Sequence, residues 1–237
     1  MSSFPYFIWN GVRSDVMGVI VSTYPTISRP KERISQVTIP GRSGDLTIAQ
    51  GTYPVYESYL RTCECYIRPS ADLNAIMAWL KGSGTVVFGN EPNRQYEARI
   101  INQIDFDQII KGRGFRSFAI PFQCQPYKYL YPAASSIVIS QSGSTITNPG
   151  SVEAEPMLVV SMTGSGTLTL GGGAIDIVSD WRVRIDVKTR LITDYERTAN
   201  WAYRVTGELP TIPPGDSLVS FTGGITAVTI TPQWRFI

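Results

Sequence analysis

Short runs of β-branched and aromatic residues, separated by turns rich in glycine and proline, make up most of the chain. The longest run alternates in the way that a half-buried strand does. Its alternate residues, which we expect on one face, are Tyr59, Arg61, Cys63, Cys65 and Ile67. The pattern as a whole predicts a mainly β protein.

One segment breaks the strand pattern. Between Ser70 and Gly82 the large apolar residues fall at positions 73, 76, 77 and 80, which is the spacing of an amphipathic helix. Ser70 is suited to cap the first amides, and Asp72 suits the positive N-terminal end of the helix. We therefore predict one helix here, with its apolar stripe packed against a sheet.

The character of the chain changes near residue 131. From Ser135 onward, short strand-like runs recur at roughly 8–12-residue spacing with no helix between them, which indicates a β-sandwich or barrel. We predict two domains: a β-rich domain with one helix over 1–131, and a β-sandwich over 132–237. The last run, about 228–237, is a candidate to return to the first domain.

Composition narrows the functions that are possible. Of the 237 residues, 17% are charged and 43% hydrophobic, against about 25% charged in an average soluble protein. The low charge suits a subunit that hides part of its surface against copies of itself. A net charge of +2 is too small to indicate affinity for nucleic acid. No run approaches the ~20 apolar residues of a membrane span, so we expect no membrane insertion.

The chain contains no histidine. A Ser-His-Asp or Cys-His mechanism and a histidine-rich metal site are therefore excluded. The three cysteines have no CxxC spacing and are interpreted as small buried hydrophobes. Three carboxylate pairs at i, i+2 spacing have the look of surface strands and turns: Asp105/Asp107, Glu153/Glu155 and Asp194/Glu196. We expect no enzyme, no cofactor and no bound metal.

Three tryptophans in the second domain leave two interpretations open. Trp181, Trp201 and Trp234 either fill the core between the sheets or lie exposed and stack on sugar rings. The second possibility makes a carbohydrate-binding adhesion module the alternative function.

A series of short motifs carries a family resemblance. They are Phe7-Ile8-Trp9-Asn10-Gly11, the loop Ile39-Pro40-Gly41-Arg42-Ser43-Gly44-Asp45-Leu46, the segment Gly89-Asn90-Glu91-Pro92, the strand Phe118-x-Ile120-x-Phe122, and Asn148-Pro149-Gly150 in the second half. Their order and spacing resemble the distal tail protein (Dit) family of long-tailed phages. The resemblance covers nearly the whole chain.

The resemblance implies a structural virion protein at the phage tail tip, made in the host cytoplasm. In that family the first domain forms a hexameric ring around the channel for DNA, and the second is a galectin-like β-sandwich. The implied partners are further copies of the chain, the tail tube protein, the tail-tip or baseplate hub, and fibre or receptor-binding proteins.

The loop in the most distinctive motif is the candidate oligomer interface. Its turn residues give it no local core, so it needs a surface to lie on, and in a ring that surface is the neighbouring subunit. The candidate contacts are Pro40, Gly41, Arg42, Gly44 and Asp45. The guanidinium of Arg42 either anchors on the neighbour's carboxylates or carbonyls, or is a solvated loop tip.

Overall fold

The computed structural model of the chain describes residues 4–49, 54–101, 103–106 and 116–237. The chain divides into two compact units, of which unit 1 is Met1–Lys128 with Ile237 and unit 2 is Tyr129–Phe236. Both units are built of strands, which confirms the predicted mainly β fold. The functional domains expected at 1–131 and 132–237 stay a prediction.

Unit 1 contains a seven-strand path in the order β2-β1-β7-β8-β9-β6-β3 and a separate two-stranded sheet, β4-β5. Its elements are β1 (Phe7–Trp9), β2 (Val12–Arg13), β3 (Val19–Thr23), β4 (Ile34–Thr38), β5 (Asp45–Ala49), β6 (Tyr59–Ile67), α1 (Leu73–Trp79), β7 (Ser83–Phe88), β8 (Arg94–Ile100) and β9 (Arg116–Leu130).

The strand period predicted for β6 is confirmed. Arg61, Cys63, Cys65 and Ile67 are buried, whereas Glu64 and the other residues between them are exposed or half-buried. The buried face of β6 lies against an aromatic core, because alternate residues of neighbouring strands point to the same side. In that core the ring of Phe122 lies 5.4–5.6 Å from three other rings, those of Phe7, Trp9 and Phe88.

The predicted helix is present, but its cap differs from the expected one. Asp72, not Ser70, is the N-cap, and its carboxylate accepts a hydrogen bond from the Asn74 amide at 2.9 Å. An N-cap side chain reaches the amides two or three residues after it. Because α1 begins at Leu73, that position falls on Asp72.

The buried face of α1 also differs from the expected stripe. Ile76 and Leu80 are buried as predicted, but Met77 is exposed. Trp79 takes its place, with its ring stacked on that of Phe7 at 5.6 Å. The helix has only seven residues, so its apolar stripe is short. The contact between the rings of Trp79 and Phe7 therefore determines which side of the helix packs against the sheet.

Unit 2 is a β-sandwich of two five-stranded sheets, in the orders β10-β19-β12-β15-β16 and β11-β18-β13-β14-β17. The elements are β10 (Ile137–Ile139), β11 (Ser144–Asn148), β12 (Met157–Met162), β13 (Gly164–Leu170), β14 (Gly173–Ser179), β15 (Val183–Asp186), β16 (Leu191–Asp194), η1 (Ala202–Arg204), β17 (Val205–Gly207), β18 (Gly215–Phe221), β19 (Ile225–Thr231) and β20 (Arg235–Phe236).

Alternate residues of both sheets form one apolar core in unit 2. Leu158 and Val228 from one sheet and Leu168 and Ile177 from the other are fully buried in it. The predicted sandwich is therefore confirmed. Of the run that was a candidate to return to the first domain, Val228 lies in β19 within this core, and Ile237 groups with unit 1.

The described ranges contain no helix long and apolar enough to cross a membrane. Among the same residues there is no group of three histidine, cysteine, aspartate or glutamate side chains placed to hold a metal ion.

Candidate functional site

The candidate interface loop forms the tip of the β4-β5 hairpin. The amide of Arg42 donates to the carbonyl of Ile39 at 3.1 Å, and Gly41 has a φ of 80°. Proline at the second position and a residue of positive φ at the third define a type II turn, which explains the order Pro40-Gly41. The sharp turn expected from the sequence is therefore present.

The hairpin has one apolar side and one polar side. Val37 lies directly opposite Leu46, and Ser35 opposite Ile48. Opposite residues share a side, because side chains alternate along each strand. The apolar side therefore holds Val37, Leu46 and Ile48 with the small Ser35, whereas the other side is mainly polar and holds Gln36, Thr38, Asp45 and Thr47 beside Ile34.

The apolar side of the hairpin is open to solvent. Val37, Leu46 and Ile48, with Ile39 just beyond β4, are between 37% and 48% exposed. An isolated two-stranded hairpin is marginally stable in water and needs a further layer over its apolar side. Within the described part of the chain, nothing buries these four side chains.

The polar residues of the loop have separate roles. Asp45 accepts a hydrogen bond from the hydroxyl of Thr38 at 2.8 Å, so it is partnered inside the hairpin. The side chain of Arg42 is exposed, and no carboxylate of the described residues lies within ion-pair distance of it. Of the five candidate contacts, Arg42 is thus the exposed cation, and Asp45 is an exposed carboxylate that keeps further acceptor sites.

The two arms of the hairpin stay paired beyond β4 and β5. The amide of Arg33 donates to the carbonyl of Val55 at 2.7 Å, and that of Glu57 donates to the carbonyl of Lys31 at 2.8 Å. These bonds extend the antiparallel ladder toward the base of the hairpin, which is exposed along β4.

A buried charge cluster lies next to the segment that leads into the hairpin. The Arg61 guanidinium donates from Nη1 to Oε2 of Glu91 at 2.8 Å, and its side chain is almost completely buried. Its Nη2 donates to the carbonyl of Pro25 at 3.4 Å, and Asn90 Nδ2 donates to the same carbonyl at 3.3 Å. Arg61 thus joins the core of unit 1 to the start of the hairpin segment.

Two aromatic rings and a second cation complete this cluster. The Arg61 guanidinium carbon lies 4.6 Å from the ring centre of Phe88 and 4.7 Å from that of Tyr96. The Tyr96 hydroxyl donates to Glu91 at 2.6 Å, and Lys128 Nζ lies 3.4 Å from the other oxygen of Glu91. Every oxygen of the carboxylate therefore has a donor.

The surroundings shift the pKa values of the cluster in opposite directions. Burial alone raises the pKa of Glu91, but the hydrogen bonds from Tyr96 and Arg61, together with the positive charges of Arg61 and Lys128, outweigh it, so the pKa is lowered. Burial and the hydrogen bond to Glu91 raise the pKa of Tyr96, and burial raises that of Tyr59 to about 12. At neutral pH the cluster is a charged Arg61–Glu91 pair between neutral phenols.

Sequence reasoning placed Arg61 on the same face as the two cysteines that it expected to be buried, and it quoted Glu91 in a motif, but it did not pair them. The two residues are separated by 30 positions. An arginine on the buried face of a strand indicates that an acidic residue is buried beside it, because the desolvation free energy of an unpaired buried charge is very large.

The carboxylate pairs have structural partners. Glu155 accepts from Nη1 of Arg235 at 2.7 Å, and Glu153 accepts from the Thr211 hydroxyl at 3.1 Å. Asp194 accepts from the Thr198 hydroxyl and the Ala199 amide, and these bonds lower its pKa. Asp107, from the remaining pair, lies outside the described residues.

The three candidate tryptophans lie in three different environments. Trp234 is buried in the core of unit 2, so its proposed contact with a sugar is wrong in this structure. Trp201 packs partly against the same core, and the Arg204 guanidinium lies 4.6 Å from its ring centre. Trp181 is exposed. The sequence pattern did not distinguish them, because burial here depends on which strands cover each ring.

No family model and no curated protein matches the sequence. Among solved structures, the chain is similar to the SPP1 Dit protein (gp 19.1), described as a paradigm of the hub adsorption apparatus in phages that infect Gram-positive bacteria. The TM-score is 0.75 at 13% identity, and the match covers 100% of both chains. A chain of the phage P2 baseplate in its activated conformation with Ca matches with a TM-score of 0.53 at 11% identity, over 98% of each chain. Over its whole length, the protein therefore has the fold of the phage Dit hub proteins.

Proposed function

We propose that the protein is a structural hub of a phage tail, in which unit 1 assembles into a hexameric ring that joins the tail tube to the tail tip. The observation that carries the proposal is the exposed apolar side of the β4-β5 hairpin, in a chain with the fold of a hub protein. In this proposal the second unit is a galectin-like sandwich that supports baseplate, fibre or receptor-binding proteins.

The hairpin supplies a head-to-tail contact. Its apolar side is built from residues of two strands, and no other described residue of the same subunit covers it. A surface that docks on a different surface of the next copy generates rings when the rotation closes. Complete burial of one valine or leucine side chain contributes about 1.5–3 kcal/mol. The four side chains of the apolar side are already more than half buried, so each contributes only a part of that value when a neighbour covers it.

Arg42 is the polar anchor of this seam. It is exposed beside the apolar side, and Asp45 is already bonded to Thr38. In the ring its guanidinium meets a carboxylate or carbonyl oxygens of the neighbour. The ring surrounds the channel for DNA without reading its sequence, and the protein works without catalysis or a cofactor, in the virion after synthesis in the host cytoplasm.

The experiment compares two adjacent substitutions on opposite sides of one strand. Val37→Asp places a charge on the apolar side, and Gln36→Asp places the same charge on the polar side as a matched control. We expect Val37→Asp to sediment as a monomer with the melting temperature of a monomeric parent, while Gln36→Asp forms rings in negative-stain images. A parent protein that shows no hexamer at any concentration contradicts the proposal that unit 1 closes a ring on its own.

The anchor is tested separately with Arg42→Ala. Leaving the partner charge unpaired in a water-excluded seam costs about 2–5 kcal/mol per interface, so the variant should populate open fragments at concentrations where the parent is closed. Arg33→Ala, at the exposed base of the hairpin, is the control. Rings of undiminished stability in Arg42→Ala would show that this arginine is a solvated tip.

A further inference from the structure

Exposed aromatic side chains gather at one end of the sandwich of unit 2. Tyr203 is 74% exposed, Trp181 is 61% exposed and Tyr195 is 44% exposed. We call these three residues, with Arg182 and Arg204, the aromatic rim. Large rings in water are costly to leave uncovered, and none of the three belongs to the hairpin or to the buried cluster of unit 1.

The topology brings the rim together from three segments. The turn Ser179–Arg182 connects β14 of one sheet to β15 of the other. On one flank, the Arg204 guanidinium donates to the carbonyl of Val178 at 3.4 Å and lies 5.4 Å from the ring centre of Tyr203. On the other flank, the Arg182 guanidinium lies 5.2 Å from the ring centre of Tyr195.

Buried polar groups fix these segments in place. The hydroxyl of Ser179, itself buried, accepts from the Trp181 amide at 3.2 Å. Asp194, also buried, accepts from the Thr198 hydroxyl at 2.5 Å and the Ala199 amide at 2.7 Å. The loops that present Trp181 and Tyr195 are therefore held in one conformation, which lowers the entropic cost of binding.

The two guanidinium groups of the aromatic rim form no ion pair in the described part of the chain. No carboxylate there lies within ion-pair distance of Arg182 or Arg204. A guanidinium has five N–H donors, so both groups keep donors for an anionic ligand.

The remaining surface of this sheet differs in character. The outer side of the β11-β18-β13-β14-β17 sheet carries threonine–aspartate pairs, with Thr147 bonded to Asp216 and Thr167 bonded to Asp176, each at 2.6 Å, and the exposed aliphatic side chains of Val178 and Leu218. It presents no ring for stacking. A ligand that needs aromatic faces therefore finds them at the rim and not across the sheet.

We propose that the aromatic rim is a binding site for an acidic saccharide, that is, a glycan whose sugars bear carboxylate or phosphate groups. Sugar rings have apolar faces that stack on exposed tryptophan and tyrosine, and their anionic groups accept hydrogen bonds from guanidinium groups. Arg182 lies over the ring of Tyr195, and Arg204 lies over those of Trp201 and Tyr203. Tyrosine, tryptophan and arginine are also enriched at protein interfaces, so short poly-glutamate serves as the acidic peptide that separates a protein partner from a sugar. The inference does not depend on the proposed ring.

The experiment is calorimetric titration of the full-length protein with short oligosaccharides. The probes are oligogalacturonate, which bears carboxylates, and a phosphorylated mannose oligosaccharide. Neutral chitin oligosaccharide and short poly-glutamate separate the sugar and charge contributions. We expect one or both acidic sugars to bind, with much weaker binding of the neutral sugar and of poly-glutamate.

Variants locate the site. Trp181→Ala and Tyr203→Ala should each weaken binding about three- to tenfold, the value of one aromatic contact, and both side chains are too exposed for their loss to disturb folding. Phe4→Ala is the matched control, because Phe4 is an exposed ring with the Arg68 guanidinium 4.6 Å from its centre in unit 1. The proposal is overturned by binding of poly-glutamate as tight as that of the sugars, by no binding of either acidic sugar, or by equal losses in all three variants.

Discussion

Arg61 occupies a site that suits an arginine and no other cation. Its planar guanidinium lies between two rings while its edge donates to Glu91 and to the carbonyl of Pro25. A lysine ammonium is a compact, strongly hydrated charge that neither stacks nor forms this fork. The Arg61 side chain, which extends from β6, therefore pairs with the buried carboxylate of Glu91 and also holds the loop at Pro25 by a hydrogen bond.

At this scale we predict a pH-dependent effect of Glu91→Gln. The folded-state pKa of Glu91 lies below its ordinary value of 4.5, so the ionised carboxylate stabilises the fold above that value. This contribution is lost as the pH falls through the folded-state pKa. At pH 7 the variant should lose about 3–5 kcal/mol of unfolding free energy, because Arg61 is left as an uncompensated buried charge.

Urea unfolding at pH 7 and at about pH 3, below the ordinary glutamate pKa, measures this effect. The difference between parent and variant should shrink at the lower pH. Glu64→Gln, on the exposed side of the same strand, should stay within about 0.5 kcal/mol of the parent. A deficit for Glu91→Gln that is equal at both values would show that the loss arises from packing rather than charge.

At the scale of single elements, local signals in the sequence were sufficient for some features and not for others. The buried face of β6 follows from its period, and the hairpin tip follows from Pro40-Gly41, since both depend on neighbours along the chain. The contact between Trp79 and Phe7 depends on residues far apart in sequence. Periodicity cannot reveal such a contact, and for the same reason it did not separate buried Trp234 from exposed Trp181.

The short last strand, β20, gives a prediction at this scale. The Arg235 guanidinium donates to the carbonyl of Glu153 and to the carboxylate of Glu155, each at 2.7 Å. Arg235→Ala should lower the unfolding free energy of the sandwich by about 1–3 kcal/mol, because a buried acceptor loses its donor. Glu155→Gln should cost less than about 1 kcal/mol, because its carboxylate is partly solvated. Chemical unfolding followed by tryptophan fluorescence measures the unfolding free energy of both variants. Equal losses in Arg235→Ala and Glu155→Gln would contradict the prediction that the arginine contributes more than the carboxylate.

At the scale of the whole molecule, the point of division between the units has consequences for fragments. Unit 2 begins at Tyr129, and Leu130 donates its amide to the carbonyl of Trp234 and packs against the core of the sandwich. We expect a fragment 129–237 to fold and to be more stable than a fragment 132–237 by about 1–3 kcal/mol, the value of one partly buried leucine and one hydrogen bond. Thermal melts of the two fragments decide this, and identical melting temperatures would count against it.

The three cysteine thiols of unit 1 determine how readily the protein is oxidised. Cys63, Cys65 and Cys124 are buried and free. The neighbouring Cys63 and burial raise the pKa of Cys65, and burial raises that of Cys124 to about 12. Oxidants attack the thiolate, and preferably one that solvent reaches. In the proposed role at a phage tail tip, the protein would persist in aerated water, where no cell renews its reductants. Because the thiols of Cys65 and Cys124 stay protonated and all three cysteines are buried, we expect cysteine oxidation to be slow over that time.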